Sequence, residues 1–229
     1  SFADRVAVAI YDFLERRSGR LLDGHLCVTH ALKAWLSRNY GIHAEAAHDR
    51  PPAMFTALSE SERLAALARI GSIAFPSSSN DPFWRGRSLA DASKDRPTII
   101  ASSTSWSADE DFDVLLDALI AYDKSNTRRL VVIVTGKGEL RRRFEERYAT
   151  LNLQSVRVAT AWLTTRDYCC LLACADVGVS LHASTSGLDL PMKVVDMFGV
   201  GLPVLQLRFP CVSELVEDGA NGVLFEDAA

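Results

Sequence analysis

Leu130-Val-Val-Ile-Val-Thr135, then Gly136-Lys-Gly138, then the charged run Glu139-Leu-Arg-Arg-Arg-Phe-Glu-Glu-Arg-Tyr-Ala-Thr150, is the stretch from which the fold is read. An unbroken apolar run rich in β-branched residues is a strand covered on both faces, and such strands belong to parallel sheets. A glycine-flanked turn ends the strand, and an amphipathic helix returns the chain. The same alternation continues on either side. Strands are predicted at Thr98–Ser102, Leu130–Thr135, Ser155–Ala159, Val177–Leu181, Pro203–Gln206 and Gly222–Phe225. Helices are predicted at Asp109–Tyr122, Glu139–Thr150, Thr165–Ala175, Pro191–Gly199 and Val212–Glu217. Six strands with five crossovers make one doubly wound, Rossmann-like α/β domain over residues 98–229, and ligands of such sheets bind at the carboxyl ends of the strands.

Upstream, Val6, Ile10, Phe13 and Leu14 mark an amphipathic surface helix over Asp4–Arg17 that stops near Gly19. His25–Val28 and Ile42–Ala47 read as strands around a helix that Thr29 caps and Gly41 ends, so residues 1–52 hold a strand-helix-strand unit. Residues 53–97 read as a linker. Pro76, Pro82, the Ser77–Ser79 run and Gly86 interrupt its pattern around one helix at Glu60–Ile70.

Composition narrows the classes of function. The 25 Lys plus Arg against 29 Asp plus Glu give a formal charge of −4, which argues against a nucleic-acid footprint. With 48% hydrophobic and 24% charged residues the chain is an ordinary globular one. Its five cysteines lack zinc-ligand spacing and fit a reducing compartment. No apolar run approaches the roughly 18 to 20 residues of a membrane span. The chain opens on Ser1 rather than Met, and only Glu226 to Ala229 follow the last predicted strand, so both ends are expected to be cut.

Three strand-to-helix loops meet at the upper edge of the predicted sheet: Ser103–Ser107, Gly136–Gly138 and His182–Asp189. Small residues and exposed N–H groups at helix starts suit them to an anion such as a diphosphate, although any parallel sheet needs small residues there. After Gly136 and Gly138 the third glycine position of a dinucleotide fingerprint holds Arg141, and P-loop spacing is lacking, so NAD and ATPase sites of those types are disfavoured. The acidic Asp109-Glu110-Asp111 reads as a first helical turn, with Ser107 and Glu110 forming a capping box, in preference to a metal site. The richest block is Ser184-Thr-Ser-Gly-Leu-Asp-Leu-Pro-Met-Lys193-Val-Val-Asp196. Pro191 fits the first helical position, which puts Lys193 and Asp196 on one face near the helix start. They are either an ordinary surface ion pair or a cation for a diphosphate beside an acceptor for a ribose diol.

Ser102–Trp106 with Asp109–Phe112, then Thr135–Gly138, then Ser186–Gly199, resemble the chitobiosyldiphosphodolichol β-mannosyltransferase family, most specifically in the last block. The likeness covers nearly all of residues 20–229 and is weakest across 53–97. It implies a GT-B fold, two Rossmann-like domains facing across a cleft. Residues 98–229 would be most of the donor domain, and residues 1–52 the C-terminal part of the acceptor domain. It implies an inverting hexosyltransferase that moves mannose from GDP-mannose to a lipid-linked chitobiose, at the cytosolic face of the endoplasmic reticulum membrane. Anchoring by a segment outside this chain, and association with other glycosyltransferases of the same pathway, would follow. Neither a metal nor a resident cofactor is implied.

Lys193, Asp196, Gly201 and Pro203 match the pattern of the wider superfamily, which assigns Lys193 to the diphosphate and Asp196 to the ribose. The remaining donor-binding expectations are Ser103, Thr104, Gly136, Lys137, His182, Ser186, Gly187 and Asp189. Many relatives hold the sugar with a Glu before a Gly-rich turn. Here the Ser184–Asp189 loop stands instead, leaving Asp189 and His182 as sugar-contact candidates. Lys137 takes part of the charge that relatives carry after the first strand. The general base is unassigned; His48 and Asp49 lie at the end of a predicted strand, and His25 and His30 read as structural. Two rivals remain: a nucleotide-sugar transferase with another donor or lipid acceptor, and a non-catalytic nucleotide-sugar-binding homologue.

Overall fold

The computed structural model describes the chain apart from residues 1, 77–82, 85–88, 91–95, 126–127, 185 and 229 and the side chains of 2–4. The Ser77–Ser79 run, Pro82 and Gly86 of the expected linker therefore lie outside the described residues, as does Thr185. Its elements run α1 (Phe2–Gly19), β1 (Leu26–Cys27), α2 (His30–Tyr40), β2 (Glu45–Ala46), α3 (Glu60–Ala74), β3 (Thr98–Ser103), α4 (Phe112–Ser125) and β4 (Leu130–Thr135). They continue with α5 (Arg141–Ala149), β5 (Val156–Ala161), α6 (Thr165–Cys174), β6 (Val177–Ser180), α7 (Met192–Gly199), β7 (Val204–Leu207) and β8 (Gly222–Phe225).

Strands β3 to β8 form one six-stranded parallel sheet in the order β5-β4-β3-β6-β7-β8. The chain winds outward from β3 to β5, returns to β6 on the other side of β3, and winds outward again. A topological switch point thus lies between the carboxyl ends of β3 and β6. All six residues of β4 are buried, as a strand covered on both faces must be. On one face Ile99, Ala101, Val131 and Ile133 pack with Leu67 and Ile70 of α3, Leu171 and Leu172 of α6, and Met197 of α7. On the other, Val132, Val134, Val156 and Val158 meet Leu115, Leu116 and Leu119 of α4 and Phe144 of α5. Each of these side chains larger than alanine contributes about 1.5 to 3 kcal/mol by leaving water.

All six predicted strands exist, with ends moved by at most two residues. The predicted helix Val212–Glu217 is the exception: only a 3₁₀ turn, Val212–Glu214, forms. Val216 is fully buried behind it and the chain turns at Gly219 (φ 80°), leaving no room for a second turn of helix. Within 53–97, α3 begins with a full capping box on Ser59 and Glu62 and buries Ala66, Leu67 and Ile70. Phe55, Trp84 and Leu89 join the same core, so this stretch is packed onto the C-terminal sheet and does more than tether it.

In the N-terminal part, β1 and β2 pair in parallel around α2, giving the strand-helix-strand unit in a shorter form. Thr29 caps α2, accepting from the Leu32 N–H at 2.9 Å, and Gly41 (φ 65°) ends it. Helix α1 is amphipathic as expected, but Ile10, Phe13 and Leu14 of its apolar stripe are more than half exposed. Among the described residues no helix is long and apolar enough to cross a membrane.

Candidate functional site

The loop leaving β3 sets the geometry of the switch point. Thr104 is buried and its Oγ1 accepts from the Trp106 N–H at 2.9 Å, bending the chain so that Trp106 takes a left-handed φ of 50°. The Trp106 ring is thereby driven inward between Phe112 and Phe144, with centroids 4.7 and 5.0 Å away. The loop leaving β4 lies directly against it. A Cβ on Gly136 would fall 1.8 Å from the Thr104 carbonyl oxygen, and one on Gly138 would fall 1.9 Å from that of Ser105. These glycines are demanded by the approach of two backbones. Lys137, between them, lays its ammonium over the exposed Trp162 ring at 4.1 Å, beyond the end of β5.

This inward bend redirects Glu110. The expected capping box does not form: Ser107 Oγ donates to Asp109 at 3.0 Å, and Asp111 accepts the Asp113 N–H at 2.9 Å at the start of α4. The Glu110 carboxylate turns the other way and forms a close ion pair with Lys193. Both partners are enclosed, with side chains 4% and 16% exposed. Lys193 therefore pairs across the switch point, not with Asp196 on its own helix.

Asp196 faces the end of β3 from α7. Tyr168 on α6 donates to its Oδ2 at 3.5 Å, and the same phenol lies 3.2 Å from Ser103 Oγ. Burial pushes the phenol up to about 12, keeping it a neutral donor, and burial also raises the Asp196 carboxyl above the usual range. Pro191 is the cap of α7 (φ −72°, ψ 115°) and not its first helical residue, and it offers no side-chain acceptor. The N–H groups of Met192 and Lys193 have no acceptor among the described residues. Ser103, Glu110, Tyr168, Lys193 and Asp196 thus gather at the carboxyl ends of β3 and β6.

The loop leaving β6 is built differently from its reading as an open anion cradle. Asp189 accepts from the hydroxyls of Ser184 and, at 2.9 Å, Ser186, while Ser184 and Ser186 in turn accept the Gly187 and Leu188 N–H groups. The Ser184 hydrogen bond is the main reason the Asp189 carboxyl sits below its ordinary range. His182 Nε2 lies 3.5 Å from Asp189 Oδ2, and its ring meets Phe209 edge-on. Gly187 (φ 68°) packs on Pro210.

That loop is also tied to the N-terminal unit, since Thr29 Oγ1 donates to the Leu188 carbonyl at 2.6 Å. Glu214 accepts the N–H groups of His30 and Ala31 at 2.6 and 2.8 Å and meets His48 Nε2 at 2.9 Å. Although burial opposes it, these donors hold the Glu214 carboxyl below its ordinary range. His48 is thus engaged with Glu214, and Asp49 is exposed. His30, His48 and Glu214 are close enough to suggest a metal site, but their carboxylate already caps the positive end of α2, a poor place for a cation.

Sequence reading missed Glu110 and Tyr168. Nothing local distinguishes Glu110 from its acidic neighbours; its partner is 83 positions away. The Tyr168 hydroxyl was foreshadowed only by its place in a helix otherwise apolar on that face.

A family model described as "Glycosyl transferases group 1" matches residues 96–229. The chain is 40% identical over 241 residues to the human chitobiosyldiphosphodolichol beta-mannosyltransferase, covering 96% of this chain and 52% of that protein. It is 38% identical over 260 residues to the UDP-glycosyltransferase TURAN of Arabidopsis thaliana, covering 99% and 56%. The chain therefore spans about half the length of the curated relatives it matches. Among solved structures, Anabaena HepE in complex with UDP superposes with a TM-score of 0.65 at 16% identity, over 91% of this chain and 51% of that one. A glycosyltransferase from Rickettsia africae gives 0.61 at 15% identity, over 89% and 49%. With a doubly wound sheet, a charged crevice at its switch point and these likenesses in hand, the chain belongs to the group 1 glycosyl transferases and has their GT-B fold.

Proposed function

We propose that the crevice between β3 and β6 binds the nucleotide diphosphate of GDP-mannose. The protein would pass mannose to a chitobiosyl-diphosphodolichol acceptor in a β-1,4 linkage, in early N-glycan precursor synthesis. The observation that carries this reading is the placement of Lys193 and Asp196 at the switch point, on the start of a helix whose first N–H groups are free. Lys193 supplies charge to the diphosphate, the helix start supplies two further donors, and Asp196 accepts from the ribose diol. The name of the human relative supports mannose and the lipid acceptor.

Transfer from an α-linked donor to a β linkage inverts the anomeric centre, so a single in-line displacement through an oxocarbenium-like transition state is expected. The negative charge that develops on the leaving diphosphate is met by Lys193 and the α7 N–H groups, already in place before reaction. Ser103, held by Tyr168, borders the same crevice, and Lys137 with Trp162 stands at its outer end. We assign the acceptor, the cytosolic face of the endoplasmic reticulum membrane and contact with other enzymes of the pathway on the same relationship. No general base is assigned.

A UDP-sugar donor is the second reading, favoured by the UDP held by HepE and by the name of the Arabidopsis relative. Calorimetric titration with GDP, GDP-mannose, UDP and UDP-glucose separates the two. Asp196→Ala is expected to weaken GDP binding about 10-fold or more, as loss of a charged hydrogen bond would. Asp109→Ala leaves it unchanged. Equal effects of the two substitutions overturn the assignment of Asp196.

A further inference from the structure

We propose that Glu110 reads the transferred sugar, holding Lys193 with one carboxylate oxygen and offering the other to hydroxyls of the hexose; this rests on the donor-site reading above. Oε1 makes the pair with Lys193. Oε2 has no donor among the described residues and is not one of the fully enclosed unpaired atoms. A carboxylate has about four acceptor positions, and a hexose presents vicinal hydroxyls as a pair of donors.

The other acidic groups at this edge of the sheet are spoken for. Asp189 is half exposed, takes both hydroxyls of its own loop on Oδ1 and faces His182 with Oδ2. Asp111 accepts a backbone N–H at the start of α4, and Asp109 is exposed. Asp196 faces Tyr168 from the ribose side. Glu110 alone among these is enclosed, held in place and half free.

Position favours the same role. An ammonium has three donors, and one bond to Glu110 leaves two for phosphate oxygens. The hexose is bonded directly to the outer phosphate, so a carboxylate sharing the same ammonium lies within the reach of one sugar ring. The clustered rings of Trp106, Phe112 and Phe144 keep the loop from yielding, which makes Glu110 a rigid gauge of hydroxyl position.

The test is the ratio of dissociation constants for nucleotide sugar and bare nucleotide, measured by calorimetry on the chain. It uses GDP-mannose with GDP, or UDP-glucose with UDP, whichever pair the wild-type chain binds. Glu110→Gln is expected to raise this ratio about 10- to 100-fold, the worth of a charged hydrogen bond, while the bare diphosphate changes by less than about 3-fold. Glu110→Asp, which keeps the charge balance and so protects folding, must move the ratio in the same direction. Asp109→Asn must leave it unchanged. An unaltered ratio overturns the proposal, whether both ligands weaken together, as for a structural role, or both tighten, as for a carboxylate that merely competes with the diphosphate for Lys193. Lys193→Met serves to separate the two levels: it weakens both nucleotide and nucleotide sugar if the donor site is correctly placed. If it weakens neither, or the wild-type chain binds neither pair, the donor-site reading itself fails, and the assignment of Glu110 with it.

Discussion

Removing one partner of the Glu110–Lys193 pair should be far more damaging than removing both. Lys193→Met leaves a carboxylate only 4% exposed with no counter-ion, and Glu110→Leu leaves an ammonium 16% exposed. A buried pair broken on one side costs about 3 to 5 kcal/mol, whereas replacing both members with apolar groups of similar size is often neutral or better. For a chain of this length each kcal/mol shifts the melting point by about 2 to 4 °C, so Lys193→Met is expected to melt roughly 6 to 20 °C lower. Glu110→Leu should fall at the lower end, because a lysine can swing its head toward water along its flexible stem. The double variant should recover most of the loss. Urea denaturation of the wild type, both single variants and the double variant gives the coupling energy directly, and more than about 2 kcal/mol is expected. Single losses under about 1 kcal/mol that simply add would mean an ordinary solvent-screened surface pair, and the account of an enclosed charge pair at the switch point would be wrong.

The two glycines between β4 and α5 make a second case. Gly138→Ala would place a methyl 1.9 Å from the Ser105 oxygen and 2.7 Å from the Trp106 Cβ, while around Gly24 nothing lies within 4 Å. The first substitution is expected to cost at least about 2 kcal/mol in chemical denaturation and the second to stay within about 0.5 kcal/mol; similar losses would refute the close loop approach. A third concerns Asp196, whose carboxyl is raised by burial. A raised carboxyl favours the fold while protonated and loses that contribution as pH climbs through its folded-state value. Asp196→Asn should therefore unfold at a higher temperature than wild type at pH 7, with the advantage fading as pH falls below the carboxylate range. A variant less stable at pH 7, or a pH-independent difference, would contradict this.

The sheet was legible because its strands are covered on both sides: β4 announces itself by an unbroken apolar run, and all six of its residues are buried. Helix α2 was legible because Thr29 and Gly41 mark its ends with local chemistry. What was hidden depends on distant partners. The direction of Glu110 follows from the bend at Trp106 and from a lysine on another helix, and neither leaves a periodic trace. The shortness of the Val212–Glu214 turn follows from the packing of Val216 behind it, again a matter of neighbours. Lys193 and Asp196 were found by spacing, but their separate partners were not, since a three-residue interval fits an ion pair equally well.

Thr29 and Glu214 together act as a clasp with a built-in threshold. Swinging α2 away from the 3₁₀ turn would strip two backbone amides of their acceptor and Leu188 of its donor in the same stroke. With the His48–Glu214 contact these bonds share the two residues Thr29 and Glu214, so they should be lost together rather than one by one. Because Leu188 belongs to the loop that leads into α7, a pull on the N-terminal unit is passed through Thr29 to the backbone ahead of Lys193.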